Sequence, residues 1–106
     1  IFVLDHINAI DTVFHNGQLG ETYNIGSNNE LQNINLVEEI CALMDKKTGS
    51  RRSKDLISFV SDRPGHDMRY AIDSSKIMNE LNWKPNYSMN EGLKLTIDWY
   101  LSHTID

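Results

Sequence analysis

The sequence predicts an α/β fold: a small mixed domain of about four helices with short strands between them. Three observations support this fold class, namely four amphipathic helical stripes, brief β-type runs, and the absence of repeats or Pro/Gly/Ser-rich linkers. A length of 106 residues, of which 40% are hydrophobic and 24% charged, is typical of one globular unit. We therefore expect residues 1–106 to form a single domain.

The first helix is predicted over residues 3–14, because apolar side chains recur there at three- and four-residue steps. Asp5 can cap or charge its start, and Asn16-Gly17 closes it. The run Thr22–Gly26 then reads as a short strand ending in a turn. The apolar stripe of this helix comprises Val3, Leu4, Ile7, Ile10, Val13 and Phe14.

The second helix is predicted to begin at a capping box formed by Asn35 and Glu38 and to end near Gly49. Its stripe surrounds Cys41, the single cysteine, which we expect to be packed in a core. A second β-type run follows over Leu56–Val60.

A third strand is predicted over Met68–Ile72, followed by a short helix that Asp73 or Ser74 caps and Asn82–Pro85 stops. The last helix is predicted from a capping box of Ser88 with the glutamate three residues later, and it should run to about His103. Strands this short make a poor independent sheet, so we expect them to pack on helices or on a further domain.

Charge and composition exclude several classes of function. Fifteen acidic residues against ten basic ones give a net charge of -5, which argues against a general nucleic-acid binder or a membrane-surface domain. No apolar run approaches the roughly 18 residues of a membrane span, and no signal-peptide pattern is present. We therefore expect a cytoplasmic protein, without a metal because the four histidines lack metal-ligand spacing.

The densest functional chemistry lies in the segment Asp62-Arg63-Pro64-Gly65-His66-Asp67. Proline restricts φ and glycine permits positive φ, so the turn can present Arg63 and His66 toward one ligand. Since the arginine fork matches pairs of phosphate oxygens, the segment can act as a phosphate or diphosphate clamp. From spacing alone, an ordinary surface turn with ion pairs of about 0 to 1 kcal/mol explains it equally well.

The segment from Asp62 to Asp73, preceded by Ile57-Ser58-Phe59-Val60, closely resembles the carboxy-terminal part of dTDP-glucose 4,6-dehydratases. These enzymes belong to the extended short-chain dehydrogenase/reductase family. The resemblance covers almost the whole chain, including Val3–His6, Gly20–Gly26 and Asp98–Leu101. The pattern Glu-Thr-Tyr-Asn-Ile-Gly is shared by many extended members, whereas Asp-Arg-Pro-Gly-His-Asp is closer to the dehydratases.

The resemblance implies a larger enzyme in which an amino-terminal Rossmann domain, absent from this chain, binds NAD. This chain would be the smaller domain that binds the dTDP-sugar substrate, and the complete enzyme would be a homodimer. With bound NAD exchanging hydride, that enzyme would convert dTDP-glucose to dTDP-4-keto-6-deoxyglucose and water. No Tyr-x-x-x-Lys motif or Gly-rich dinucleotide turn is present, so we expect this chain alone to be inactive and to carry no catalytic residue.

The resemblance implies a substrate-binding role for Asn33 and for Asp62, Arg63, Pro64, Gly65 and His66. Asn33 fits a helix-start residue equally well. Two other functions remain open. One is the corresponding part of another extended member, such as a UDP-sugar epimerase or UDP-glucuronate decarboxylase, and the other is a non-catalytic module that binds nucleotide sugars.

Overall fold

The computed structural model describes residues 1–28, 30–65 and 71–103. The four predicted helices are present in the described residues, close to their predicted positions. They are α1 over Val3–Asn16, α2 over Asn33–Thr48, α3 over Ser75–Leu81 and α4 over Met89–Ser102, with a single 3-10 turn over Ser53–Leu56. The helical part of the fold prediction is confirmed.

The predicted strands do not form within the part of the chain that the structure describes. Residues 22–26 and 57–60 have no regular secondary structure, and residues 68–70 of the third predicted strand lie outside the described residues. A strand exists only where a neighbouring backbone completes its hydrogen-bond ladder, and none of the described segments does so.

The chain divides into two compact units. Unit 1 comprises Ile1–Asn29 and Ala71–Thr96, and unit 2 comprises Glu30–Tyr70 and Ile97–Asp106. The expectation that residues 1–106 act as one domain stays a prediction.

Unit 1 is built on the contact between α1 and α3. Its core consists of Ala9, Ile77 and Trp83, each nearly inaccessible to solvent. Partly buried apolar side chains surround these three, namely Val13, Tyr23, Ile25, Met78 and Leu81.

The buried side of α1 differs from the predicted one. Asp5 and Ala9 are the buried residues of this helix. Most of the predicted apolar stripe is exposed instead, with 53% of Ile7 and 82% of Phe14 accessible. The amphipathic pattern was identified correctly, but α1 packs on α3 through its less apolar side.

Asp5 lies in the first turn of α1, as one of its two predicted roles required, but it does not cap the helix, whose N-cap residue is Phe2. Its carboxylate, only 1% exposed, accepts hydrogen bonds from the backbone N–H groups of Asn86 (2.8 Å) and Tyr87 (3.1 Å). This residue therefore ties α1 to the segment that leads into α4, a long-range contact with no local sequence signature.

Two small residues allow close contacts elsewhere in unit 1. A Cβ at Gly26 would lie 3.1 Å from Cβ and Cγ2 of Ile72, and one at Gly92 would lie 3.0 Å from Cβ of Phe2. The buried Ser74 hydroxyl is positioned to donate to Gly26 O (3.1 Å) or to Asn28 Oδ1 (3.0 Å). Of the two predicted caps of α3, Ser74 occupies the N-cap position without a side-chain cap hydrogen bond, and the Asp73 carboxylate before it accepts from the Ser75 N–H at 2.9 Å.

The helix ends agree with their predicted chemistry in most cases. Ser88 and Glu91 form the predicted capping box of α4, with the Glu91 N–H donating to Ser88 Oγ at 3.1 Å and the Ser88 hydroxyl donating to Glu91 Oε1 at 3.0 Å. Helix α3 ends at Asn82 in the left-handed region, with φ of 54°. Helix α2 begins at Asn33, two residues before the predicted Asn35 cap, so that prediction was wrong.

Unit 2 is centred on α2, which buries Cys41 and Leu43. The prediction that Cys41 is a packed core residue is confirmed. Asp45 near the end of α2 accepts from the backbone N–H of Ser53 at 3.3 Å and also from its hydroxyl, which holds the 3-10 turn against the helix. Lys47 forms an ion pair with Asp98 in the same unit.

Candidate functional site

The candidate substrate-binding turn lies in unit 2 and is exposed over residues 62–65. The Arg63 N–H donates to Asp62 Oδ1 at 3.1 Å, which links the carboxylate to the backbone at the start of the turn. Pro64 and Gly65 form the turn itself. The remaining predicted residue, His66, lies outside the described residues.

Gly65 has the positive φ that the sequence predicted, at 72°. Proline followed by glycine in the left-handed region is the pattern of a type II turn, in which the position after proline favours glycine. A Cβ at Gly65 would meet no atom within 4 Å, so the constraint there is backbone conformation and not space. The conformation at Gly65 is therefore set by the local residue types, and residues 62–65 are exposed.

Asn33 lies in the same unit, at the first residue of α2 and exposed. The first turn of α2 contains no acidic residue, and the residue before the helix makes no side-chain cap. The first N–H groups of a helix and its dipole favour an anionic or polar acceptor. Asn33 is thus both a helix-start residue and an exposed polar group, and both interpretations stay open.

The local charge of this part of the chain opposes the net charge of the whole. Between positions 46 and 63 the sequence has six basic residues and two acidic ones, a local net charge of 6 − 2 = +4 in a chain of net charge -5. The basic loop over Ser50–Lys54 is visible in the sequence, where solvated surface charges explain it without a ligand. The basic residues are Lys46, Lys47, Arg51, Arg52, Lys54 and Arg63, and the acidic ones are Asp55 and Asp62.

Unit 1 has a separate feature that the sequence did not reveal. An open cleft of about 400 Å³ is bordered by one residue of α1 and by two segments predicted as strands. Its lining consists of His6, Tyr23, Asn24, Ile25, Ala71, Ile72 and Asp73.

Two ionisable side chains near this cleft have shifted pKa values. The Ser75 N–H, assisted by the Ser75 hydroxyl, lowers the pKa of Asp73 below its ordinary 3.8. The hydrogen bond from Lys76 to Glu21, at 2.9 Å, raises the pKa of the lysine, whose ammonium also lies 4.8 Å from the ring centre of Tyr23. Both shifts arise from exposed local pairs, which are structural interactions and do not indicate catalysis.

Neither a metal-ligand cluster nor a membrane-spanning helix is found among the described residues. Among residues 1–28, 30–65 and 71–103, no three His, Cys, Asp or Glu side chains are grouped so that they could hold a metal ion. Within the same residues, no helix combines the length and apolar character needed to cross a bilayer.

Comparison with known proteins places these features in a family. The protein-family model described as GDP-mannose 4,6 dehydratase matches residues 1–96. The dTDP-glucose 4,6-dehydratase of Xanthomonas campestris pv. campestris (strain B100) is 50% identical over 106 residues, which cover 97% of this chain and 30% of that protein. The dTDP-glucose 4,6-dehydratase 1 of Escherichia coli (strain K12) is 48% identical over 98% of this chain and 29% of its own length.

Solved structures of dTDP-glucose 4,6-dehydratases are also similar to this chain. The dTDP-glucose 4,6-dehydratase of Bacillus anthracis str. Ames, in complex with NAD, superposes with a TM-score of 0.80 at 46% identity, over 94% of this chain and 30% of that one. DesIV, the dTDP-glucose 4,6-dehydratase of Streptomyces venezuelae with NAD and TYD bound, gives a TM-score of 0.74 at 36% identity, over 92% of this chain and 29% of that one. The chain spans about 30% of the length of the relatives it matches.

Proposed function

Because this chain belongs to the GDP-mannose 4,6 dehydratase family, we propose that it is the substrate-binding part of a dTDP-glucose 4,6-dehydratase. The complete enzyme would convert dTDP-glucose to dTDP-4-keto-6-deoxyglucose and water. The observation that supports this choice most directly is identity near 50%, across nearly the whole chain, to proteins named for that activity.

The role we assign to unit 2 is to bind the diphosphate of the substrate. The turn at Pro64-Gly65 holds Arg63 on an exposed loop within a stretch of local net positive charge. A guanidinium can pair with two phosphate oxygens at once. Asp62 fixes the backbone before the turn, and His66 would add a donor beside the arginine.

Asn33 would contact the nucleotide from the start of α2. Its position at a helix N-terminus supports this assignment, because that end of the helix favours polar acceptors of the kind a nucleotide offers.

Binding the diphosphate, which does not react, would contribute to catalysis by positioning the sugar that does. Energy from a non-reacting part of the substrate can orient the reacting part, so that the complete enzyme gains rate as well as affinity. This chain would hold the substrate, and the proton and hydride transfers would occur on groups outside it.

The residues present do not fit an NAD site. The chain has neither the Gly-rich turn that accommodates a dinucleotide pyrophosphate nor the Tyr-x-x-x-Lys pair of the family. We therefore assign NAD, which supplies reversible hydride acceptance when bound, to an amino-terminal domain of the complete enzyme. We also propose that the complete enzyme is a cytoplasmic homodimer, because the chain resembles the dehydratases.

The test is the substitution Arg63→Ala in the complete gene product. A charge-assisted hydrogen bond contributes about 1.5 to 3 kcal/mol, so dTDP-glucose affinity measured by calorimetry should fall about ten- to a hundred-fold while the NAD content stays unchanged. Arg63→Lys should also lose affinity, because an ammonium cannot reproduce the bidentate contact.

Arg51→Ala is the matched control, because Arg51 is another exposed arginine of the same basic stretch. Because it removes the same charge without the paired contact, it should lose much less dTDP-glucose affinity than Arg63→Ala. Unchanged dTDP-glucose affinity in Arg63→Ala would refute the clamp. Tighter binding of GDP-mannose than of dTDP-glucose would refute the assigned substrate.

A further inference from the structure

The pair Asn16-Gly17, where α1 ends, brings together a side chain and a backbone nitrogen that can react with each other. Among the asparagines of the sequence, only Asn16 is followed by glycine. Asparagine is a thermolabile residue, and glycine after it removes the Cβ that would hinder the backbone nitrogen as it approaches the side-chain carbonyl carbon. Asn16 is also exposed, so water reaches its side chain. The pair therefore has the chemistry of a deamidation site.

Gly17 is required at this position by close packing. Its φ of -68° is one that any residue can adopt, so the backbone conformation does not demand glycine. A Cβ there, however, would lie 2.5 Å from the Val13 carbonyl oxygen and 3.3 Å from Cε2 of Tyr23. The packing that ends α1 thus excludes the larger side chains that would make Asn16 inert.

Two hydrogen bonds hold this end of α1 closed. The Gly17 N–H donates to the Val13 carbonyl oxygen at 2.8 Å. The next N–H, that of Gln18, donates to the Tyr23 hydroxyl at 3.1 Å, and the Tyr23 ring packs against the core of unit 1. Cyclisation requires the Gly17 nitrogen to leave its hydrogen bond and to turn toward the Asn16 side chain. The intact turn prevents that movement.

We propose that Asn16 is a site of spontaneous deamidation whose rate is controlled by opening of the last turn of α1. In the open turn, the Gly17 nitrogen forms a bond to Cγ of Asn16. The side-chain nitrogen leaves as ammonia, together with the Gly17 amide proton, and a succinimide results. Water then opens the ring at either carbonyl, which gives aspartate or isoaspartate. The reaction consumes one water and releases one ammonia, and it needs no further reactant.

The product weakens the turn that protects the site. A new carboxylate at the carboxy-terminal end of α1 opposes the helix dipole. Isoaspartate also routes the backbone through the former side chain and so adds a methylene before Gly17. The hydrogen bond from Gly17 to Val13 cannot then re-form with its original geometry. Deamidation at Asn16 is therefore a one-way change that loosens the contact between the end of α1 and Tyr23.

The test measures deamidation of the complete gene product by peptide mass spectrometry after incubation at mildly alkaline pH. Conversion of Asn16 should be at least about ten-fold slower in the folded protein than in the same protein unfolded in guanidinium chloride, because local opening limits it. Equal rates in the two states would overturn control by the turn. Electron-transfer fragmentation distinguishes isoaspartate from aspartate.

Asn8 is the matched control, because it is an exposed asparagine of the same helix that is followed by alanine. In the unfolded protein it should convert much more slowly than Asn16, since the alanine Cβ hinders cyclisation. Equal conversion of Asn8 and Asn16 in the unfolded protein would overturn the assignment of Asn16 as the site.

Amide hydrogen exchange connects the rate to the Gly17 hydrogen bond, because exchange of that amide requires the same opening. Tyr23→Phe keeps the ring but removes the acceptor of the Gln18 N–H. It should raise the Gly17 exchange rate and the Asn16 deamidation rate together, each by about three- to ten-fold. Faster exchange of Gly17 with unchanged deamidation of Asn16 would overturn the proposed control.

Discussion

Replacing Asp5 by alanine should destabilise unit 1 far more than its position near the start of a helix suggests. The carboxylate accepts the backbone N–H groups of Asn86 and Tyr87 at 2.8 and 3.1 Å while only 1% of the residue is exposed. Each hydrogen bond to a charged acceptor contributes about 1.5 to 3 kcal/mol, and the substitution removes two of them. Because water can reach the two partly buried N–H groups after the change, we expect a loss of about 3 kcal/mol.

Asp11→Ala is the matched control, because Asp11 is an aspartate of the same helix with 71% of its side chain exposed. It loses only an i,i+4 contact with His15, which contributes about 0.3 to 0.5 kcal/mol. The assay is native-state hydrogen exchange in the complete gene product. Since each 1.4 kcal/mol is a factor of ten, the amides of Asn86 and Tyr87 should exchange about a hundred-fold faster in Asp5→Ala. Equal exchange in Asp5→Ala and Asp11→Ala would refute the role of Asp5.

Three further predictions follow from other contacts. Gly26→Ala places a methyl 3.1 Å from Cβ of Ile72, which cannot move without its backbone, so urea unfolding should show a loss of about 1 to 2 kcal/mol. Ser88→Ala removes the acceptor for the Glu91 N–H and should cost about 1 kcal/mol, measured in the same way. The lowered pKa of Asp73 means that its contribution to stability is present above its unfolded pKa and lost as pH falls through the folded value. NMR titration should place that pKa below 3.8, and Asp73→Asn should reduce the acid-induced loss of stability.

Local chemistry made the helices predictable. Short-range signals such as the Ser88–Glu91 box, the left-handed Asn82 after α3 and Gly49 after α2 depend on neighbours within a few residues, and all three are present. The N-cap of α2 was predicted three residues too late, at Asn35 and not at Gln32, because Asn35 and Glu38 match a capping pattern that also occurs inside a helix's first turn.

The candidate site was predictable only in part. The Pro64-Gly65 turn and the positive φ of Gly65 follow from the two residue types alone, and the structure has both. What Arg63 and Asn33 bind cannot follow from local chemistry, because exposed polar residues on a turn and at a helix start serve many purposes. The local net charge of +4 around this turn was visible in the sequence, and it strengthens the choice of an anionic ligand.

Two of the failures of prediction in unit 1 have one physical explanation. The apolar stripe of α1 was expected to face the core, and residues 22–26 were expected to form a strand; each pattern requires a partner that the described residues do not supply. Unit 2 has a comparable segment: Phe59 lies in a run with the composition of a strand, yet it is 85% exposed. Local sequence patterns in a natural protein normally agree with its fold, so a pattern that the described residues leave unpacked marks a place where pairing or packing partners, and not local propensity, decide the structure.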